Sequence, residues 1–157
     1  MREIVQLLEE NFLYLDHQIT DDSITIIVSS KRDEAICPYC KMVSSRVHST
    51  YERRFTDLPI QGKSVEIVLD NRKFFCDNPD CSHTTFAEAF ECVKPKAKKS
   101  NRLIDEILKV SIEVSSVTAS RLLSESVVKV GKSTICNILK KNNRSIGQGK
   151  NRKNLYR

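Results

Sequence analysis

No stretch of this chain is apolar for long enough to cross a bilayer. Its opening residues, Arg2-Glu3 followed by an amphipathic stretch with Glu9 and Glu10, do not have the form of a signal peptide. These absences argue against membrane and exported classes and predict a cytoplasmic protein. Glycine and proline are scarce, at four each in 157 residues, and with 39% hydrophobic content this argues against disorder. Acidic residues are scarce at one end only. Residues 94–157 hold four Asp/Glu against 16 Lys/Arg, a net charge of +12, whereas residues 1–93 hold 16 against 10, a net charge of −6. The basic end is the expected polyanion contact.

Against these absences stand two cysteine pairs, Cys37-Pro-Tyr-Cys40 and Cys76-Asp-Asn-Pro-Asp-Cys81. In a reducing compartment paired cysteines are more often metal ligands than disulfides. Two intervening residues make a tight knuckle that aims both sulfurs at one point, and Pro38 limits its freedom; four intervening residues make a looser knuckle with Asn78-Pro79 as its turn. Four thiolates complete the coordination of zinc, so the expected site supports a fold and leaves no position for water or substrate. His48 and His83 are the alternative ligands should one cysteine be displaced. Cys92 and Cys136 have no close partner in sequence and read as small buried residues rather than nucleophiles.

Apolar spacing predicts a helix over residues 3–14, through Ile4, Val5, Leu7, Leu8 and Phe12. Ile24, Ile26 and Val28 alternate with polar residues and predict a strand over 23–30. Two more strands, 45–55 and 64–75, are expected on either side of a turn within 57–63 containing Pro59 and Gly62, and the second of them runs directly into Cys76. The stretch Val93-Lys94-Pro95-Lys96-Ala97-Lys98-Lys99-Ser100 reads as a basic linker.

Beyond it, Leu103, Ile104, Ile107, Leu108 and Ser111 predict a helix over 101–113 behind a serine cap, and Val117, Leu122 and Leu123 suggest a second, capped by Ser115 or Ser116. Val130-Gly131-Lys132-Ser133-Thr134-Ile135-Cys136-Asn137-Ile138-Leu139-Lys140-Lys141 has an apolar residue, a Gly turn, a hydroxyl cap and then one apolar face, the pattern of the second helix of a helix-turn-helix. Such a helix lies in the major groove, which assigns Lys132, Ser133, Thr134, Asn137, Lys140 and Lys141 to DNA, with Asn137 as the adenine reader. The approach from Ser124 to Lys129 is longer than the usual turn of that motif.

The order of these features resembles the N-terminal zinc-binding region of bacterial insertion-sequence transposases of the ISL-three family. The residues that carry the resemblance are Cys37-Pro-Tyr-Cys40, Arg46-Val47-His48, Asp57-Leu58-Pro59, Arg72-Lys73-Phe74-Phe75-Cys76-Asp77-Asn78-Pro79-Asp80-Cys81 and Thr85-Phe86-Ala87-Glu88. The resemblance implies a zinc cofactor, a following helix-turn-helix, and binding of both modules to the terminal inverted repeats of a transposon. Family members continue into a catalytic domain with an acidic triad. After residue 93 this sequence has only Asp105, Glu106, Glu113 and Glu125, so a non-catalytic, DNA-binding part of a transposase is expected.

The expected fold is therefore α+β. A zinc-stapled, β-rich, zinc-ribbon-like domain with an N-terminal helix occupies 1–93, a basic linker 94–100, an all-α helix-turn-helix domain 101–142, and a disordered basic tail 143–157. Lys94, Lys96, Lys98, Lys99 and the tail add phosphate contacts, so affinity falls with salt. Arg46, Arg53, Arg54, Arg72 and Lys73 on the zinc region's strands form either a second nucleic-acid surface or a face that docks a second copy or the full-length transposase. Double-stranded DNA on the bacterial nucleoid is the expected partner. The rival readings are a stand-alone regulator and a protein-interaction zinc module with a non-specific DNA anchor.

Overall fold

The computed structural model describes the backbone of residues 1–152 and the side chains of residues 1–125 and 127–142. It is an α+β chain of two units, Met1–Asn101 and Arg102–Arg157. The first is β-rich and the second helical.

Helix α1, Arg2–Leu8, opens the first unit and strand β1, Phe12–Ile19, follows it. The helix expected over 3–14 thus ends six residues early. Glu9 is already extended, at φ −153° and ψ 116°. Its carboxylate accepts from the Asn11 backbone and side chain and from the Glu91 N–H at 3.0 Å. Those contacts, and pairing of β1 with β2, Ser23–Ser30, override the helical spacing.

The main sheet runs β1-β2-β6-β5, where β5 is Val47–Ile60 and β6 is Lys63–Phe75. β5 and β6 form a hairpin closed by Gln61 and Gly62, at φ 50° and 77°. Two residues with positive φ give a connection whose twist matches that of the strands. β2 pairs with β6 in parallel from Ser23↔Ser64 to Ser29↔Asp70, and where β2 leaves, the short strand β7, Thr85–Ala87, takes its place against Lys73–Phe75. The crossover from β2 to β6 contains a small hairpin of β3, Ala35–Ile36, and β4, Val43–Ser44.

Alternation decides which face is core. Ile24, Ile26 and Val28 on β2 and Val65, Ile67 and Leu69 on β6 are buried with Phe55, Val5, Phe12, Phe90 and Val93. A charged clamp holds the chain after β7: Glu88, with its side chain fully buried, accepts from Ser30 Oγ at 2.6 Å and Arg72 Nε at 3.1 Å, and Arg32 lies 3.8 Å away.

Residues 94–100 do not leave the sheet. The Thr56 N–H donates to the Lys98 carbonyl at 3.0 Å and the Ser100 N–H to the Thr56 carbonyl at 2.9 Å, so the segment expected as a linker runs along the outer edge of β5. Ser100 is buried and its hydroxyl donates to buried Asp57 at 2.6 Å.

The helical unit holds α2, Asn101–Glu113, α3, Ser116–Ser126, and α4, Lys132–Arg152. α2 has the span that its apolar spacing predicts and buries Leu103, Ile107 and Ser111, one face at steps of four. Ser115 caps α3, its side chain accepting from the Thr118 N–H at 3.3 Å. The hydroxyl cap expected at Ser133 is not the one used: the Gly131 carbonyl accepts from Thr134 and Ile135, which places Ser133 inside the first turn of α4. Of the tail expected to be disordered from 143, the backbone to Arg152 belongs to α4, and residues 153–157 lie outside the described residues. Among the described residues no helix is long and apolar enough to cross a membrane.

Candidate metal centre

The two knuckles come from different parts of the fold and meet at one end of the sheet. β3 and β4 carry the first. The Cys37 N–H donates to the Met42 carbonyl at 2.9 Å and the Lys41 N–H to the Cys37 carbonyl at 2.9 Å, with Lys41 left-handed at φ 66°. That conformation is uncommon for a residue with a side chain, and it turns the chain back into β4. The second knuckle follows β6 without a linker. The Cys76 N–H donates to the Thr84 carbonyl at 2.8 Å, the Cys81 N–H to the Asn78 carbonyl at 3.1 Å, and the Asp80 N–H to Asn78 Oδ1 at 3.0 Å. Asn78 thus organises the four-residue spacer as a turn, as its residue type predicts.

The Sγ atoms of Cys37, Cys40, Cys76 and Cys81 all lie within 4.8 Å of one another, with Cys37–Cys81 at 3.9 Å and Cys40–Cys76 at 3.4 Å. A tetrahedron of sulfurs about 2.3 Å from zinc has edges of about 3.8 Å, so this set has the size and donor chemistry for the ion. Cys37 is buried on Ala35, Phe74 and Phe86, with the other three cysteines against the same cluster. Phe74, the penultimate residue of β6, therefore supports the site from below, and its ring lies 5.9 Å from that of Phe86. Across the top, Tyr39 from the first knuckle stacks on His83 from the second, with centroids 3.5 Å apart and planes within 2°.

The electrostatics explain why a cation belongs here. The Met42 N–H donates to Cys40 Sγ and, with hydrogen bonds from neighbouring groups, outweighs desolvation and brings that thiol down to about 6. At Cys76 the Asn78 N–H acts in the same sense, but desolvation and the other three sulfurs win and push it up to about 12. Cys81 is likewise raised, desolvation and the sulfurs of Cys40 and Cys37 overcoming the His83 N–H. Four sulfurs this close cannot all ionise without a positive charge among them. Zinc supplies it and displaces the remaining protons, so zinc affinity rises with pH.

His48 and His83, the alternative ligands, stand outside the set. His83 pairs with Ser82 Oγ at 2.9 Å and stacks on Tyr39; His48 pairs with Ser49 Oγ at 2.9 Å and lies edge-on to Phe75. Cys92 is also apart. Burial, then the charges of Glu9 and Asp57, push its thiol up to about 12, which suits an inert packing residue.

The strand arginines are engaged within the chain. Arg46 pairs with Asp77 and lies 4.9 Å over Phe75; Arg54 pairs with Glu52 at 2.6 Å and Glu66 at 3.0 Å; Arg72 pairs with Glu88; Arg53 donates to the Lys94 carbonyl at 2.6 Å. Lys73 lies 5.6 Å over the Tyr51 ring. Lys94, Lys96 and Lys98 are exposed and Lys99 half-buried. In the helical unit Lys132, Ser133, Thr134, Asn137, Lys140 and Lys141 are all exposed, while Ile135 between them is fully buried.

Sequence reasoning missed the supporting parts of the centre. Phe74 looked like an ordinary strand residue, Phe86 stood out only through the family resemblance, and the Tyr39–His83 stack joins positions 44 residues apart with no local signal. The backbone N–H groups of Met42, Asn78 and His83, each two residues after a cysteine, were missed as well, although the spacing of a knuckle, which turns its amides toward the sulfur, could have signalled them.

Residues 33–81 match the family model described as the zinc-finger of transposase IS204/IS1001/IS1096/IS1165. The matched span contains all four cysteines and ends on the last of them. The match and the four clustered sulfurs together support zinc as the ion of this centre. Comparison with curated proteins and with solved structures gave no match.

Proposed function

We propose that this chain binds double-stranded DNA as the non-catalytic DNA-binding part of a transposase, and that its target is the terminal inverted repeats of the element. The observation that carries the reading is the match over 33–81, which falls on the residues that the fold closes into a zinc centre. Zinc bound by four sulfurs is saturated, so its role is to hold the module.

The helical unit supplies the DNA reader in this proposal. α3 and α4 form a helix-turn-helix joined by residues 127–131, and the Ser120 hydroxyl, donating to the Val130 carbonyl at 2.6 Å, ties the turn to α3. α4 is the recognition helix. Lys132, Ser133 and Thr134 stand at its N-terminus, Asn137 one turn further, and Lys140 and Lys141 behind, all exposed. The first group reaches base edges and adjacent phosphates, Asn137 reads adenine, and the lysines neutralise backbone charge. Lys94, Lys96, Lys98 and Lys99 add phosphate contacts. The chain would act in the bacterial cytoplasm, on nucleoid DNA.

A second reading concerns the zinc unit alone. Its strand arginines are held by acids, rings or backbone, which leaves few cations for phosphate on the strands and around the knuckles. Ile36, Met42, Val43 and Val47 around the first knuckle are exposed. This favours a protein contact there, with a second copy or a full-length transposase, while the helical unit holds DNA.

Selection of bound duplexes from a random pool, with zinc present and after chelation, tests the function. Enrichment of one sequence by the zinc-loaded chain is expected. Salt-sensitive retention without enrichment would instead leave a non-specific anchor.

A further inference from the structure

The turn at Lys94–Ala97 is built in a way that a plain surface turn would not require. The Ala97 N–H donates to the Lys94 carbonyl at 3.0 Å, Pro95 is second in the turn, and Lys96 is third at φ +60°. This is the arrangement of a type II turn, whose third position favours glycine because a Cβ is strained there. A lysine occupies it instead. The turn is also fixed: Arg53 on β5 donates to the Lys94 carbonyl at 2.6 Å, Thr56 binds the Lys98 carbonyl, Ala97 packs against the core of the sheet, and Ser100 is latched to Asp57. Among the described residues the ammonium groups of Lys94, Lys96, Lys98 and Lys99 make no ion pair or hydrogen bond, although the arginines of the same unit nearly all do.

We propose that this turn is a preformed clamp for the phosphates of a DNA backbone, mounted on the edge of β5, and that Lys96 is held in a strained conformation because its charge is needed at the tip. The proposal deepens the DNA-binding reading and rests on it. Strain retained at a position where glycine would relieve it points from conformation to function. Holding the lysines by the backbone removes part of the ordering cost that a mobile linker would incur on binding. Because phosphate contacts carry no base information, the clamp should help every duplex alike and set the register of the zinc unit on the backbone.

Gln61 provides the control, being a second exposed non-glycine residue in the left-handed region, at φ 50°, on the β5–β6 turn. The wild type, Lys96→Gly and Gln61→Gly would be compared by thermal midpoint and by affinity for a fixed duplex and a scrambled one over a range of salt. Both substitutions should raise the midpoint. Only Lys96→Gly should weaken binding, by about threefold or more on both duplexes, with the slope of log affinity against log salt shallower by about 0.9. Adding Lys94→Ala and Lys98→Ala should make it shallower by about 2.7 in all.

A Lys96→Gly protein with wild-type affinity and slope overturns the clamp alone, as does one whose midpoint falls. Failure of the wild type to bind any duplex overturns the DNA-binding reading and the clamp with it. Loss of binding to anionic lipid vesicles with duplex binding unchanged would assign the turn to a membrane surface and likewise overturn the proposal.

Discussion

Cys76→Ala should empty the zinc site and melt one end of the first unit while leaving the rest of its sheet folded. Three observations set that expectation. The strands that carry the first knuckle are two residues each, Ala35–Ile36 and Val43–Ser44, far too short to persist as an isolated hairpin. Among the described residues the buried cluster beneath the site contains just Ala35, Cys37, Phe74 and Phe86, with the other cysteines at its margin. The main core, by contrast, is built from Ile24, Ile26, Val28, Val65, Ile67, Leu69 and aromatic residues, and none of the four ligands belongs to it. Structural zinc contributes apparent binding energies of about 10–16 kcal/mol at neutral pH, and a knuckle region of this size has no comparable term to replace it. Bound zinc should fall from one ion per chain to nearly none. Amide exchange should then lose protection over 35–44 and 76–87 and keep it over 24–28 and 65–69. A variant that keeps its metal, or one that unfolds throughout, would show that the two clusters are not energetically separate in this way.

Asn137→Ala should abolish the preference for one base pair without abolishing DNA binding. Asn137 is exposed on α4, two residues beyond fully buried Ile135, so truncating it costs little packing and isolates the proposed base contact. A side-chain amide paired bidentately with adenine discriminates by about 1–3 kcal/mol, which is roughly 5- to 150-fold. The loss should be confined to the selected duplex and should vanish on a scrambled one. Lys141→Ala is the complementary case: it should weaken both duplexes equally and make the salt slope shallower by about 1. Titration of the two variants against both duplexes at several salt concentrations separates the roles. Equal losses on both duplexes for Asn137→Ala would remove it from the base-reading set and leave α4 as a backbone contact.

How much of this was legible in the sequence depends on how local each cause is. The zinc centre was legible because each ligand pair is a short-range object, whose sulfur spacing and turn residues lie within six positions. Strand β2 and helix α2 were legible for a related reason: each buries one face against a core, so its apolar residues recur at the period of its own backbone. Strand β1 was not. Of its eight residues only Phe12 is buried, and Leu13 and Leu15 are about half exposed, so an edge strand here presents nothing that alternation can detect. Its apolar residues continued the helical spacing of α1 by coincidence, and Glu9 breaks that helix through contacts with Glu91, 82 residues away. The parallel pairing of β2 with β6 and the handover to β7 are likewise products of the knuckle excursion between them. The course of residues 94–100 along β5 depends on Asp57, which reads locally as part of a turn, and on Thr56, just outside the strand expected over 45–55. In each of these cases the deciding contact lies far away in sequence, where residue spacing carries no information.

Four sulfur ligands drawn from the two knuckles carry the functional reading, and X-ray absorption at the zinc edge of the metal-loaded protein tests them most directly. A single shell of four sulfurs at about 2.3 Å is the predicted result. A shell containing nitrogen would bring His48 or His83 into the site and contradict the arrangement, and a protein that takes up no zinc would remove the centre on which the functional reading stands.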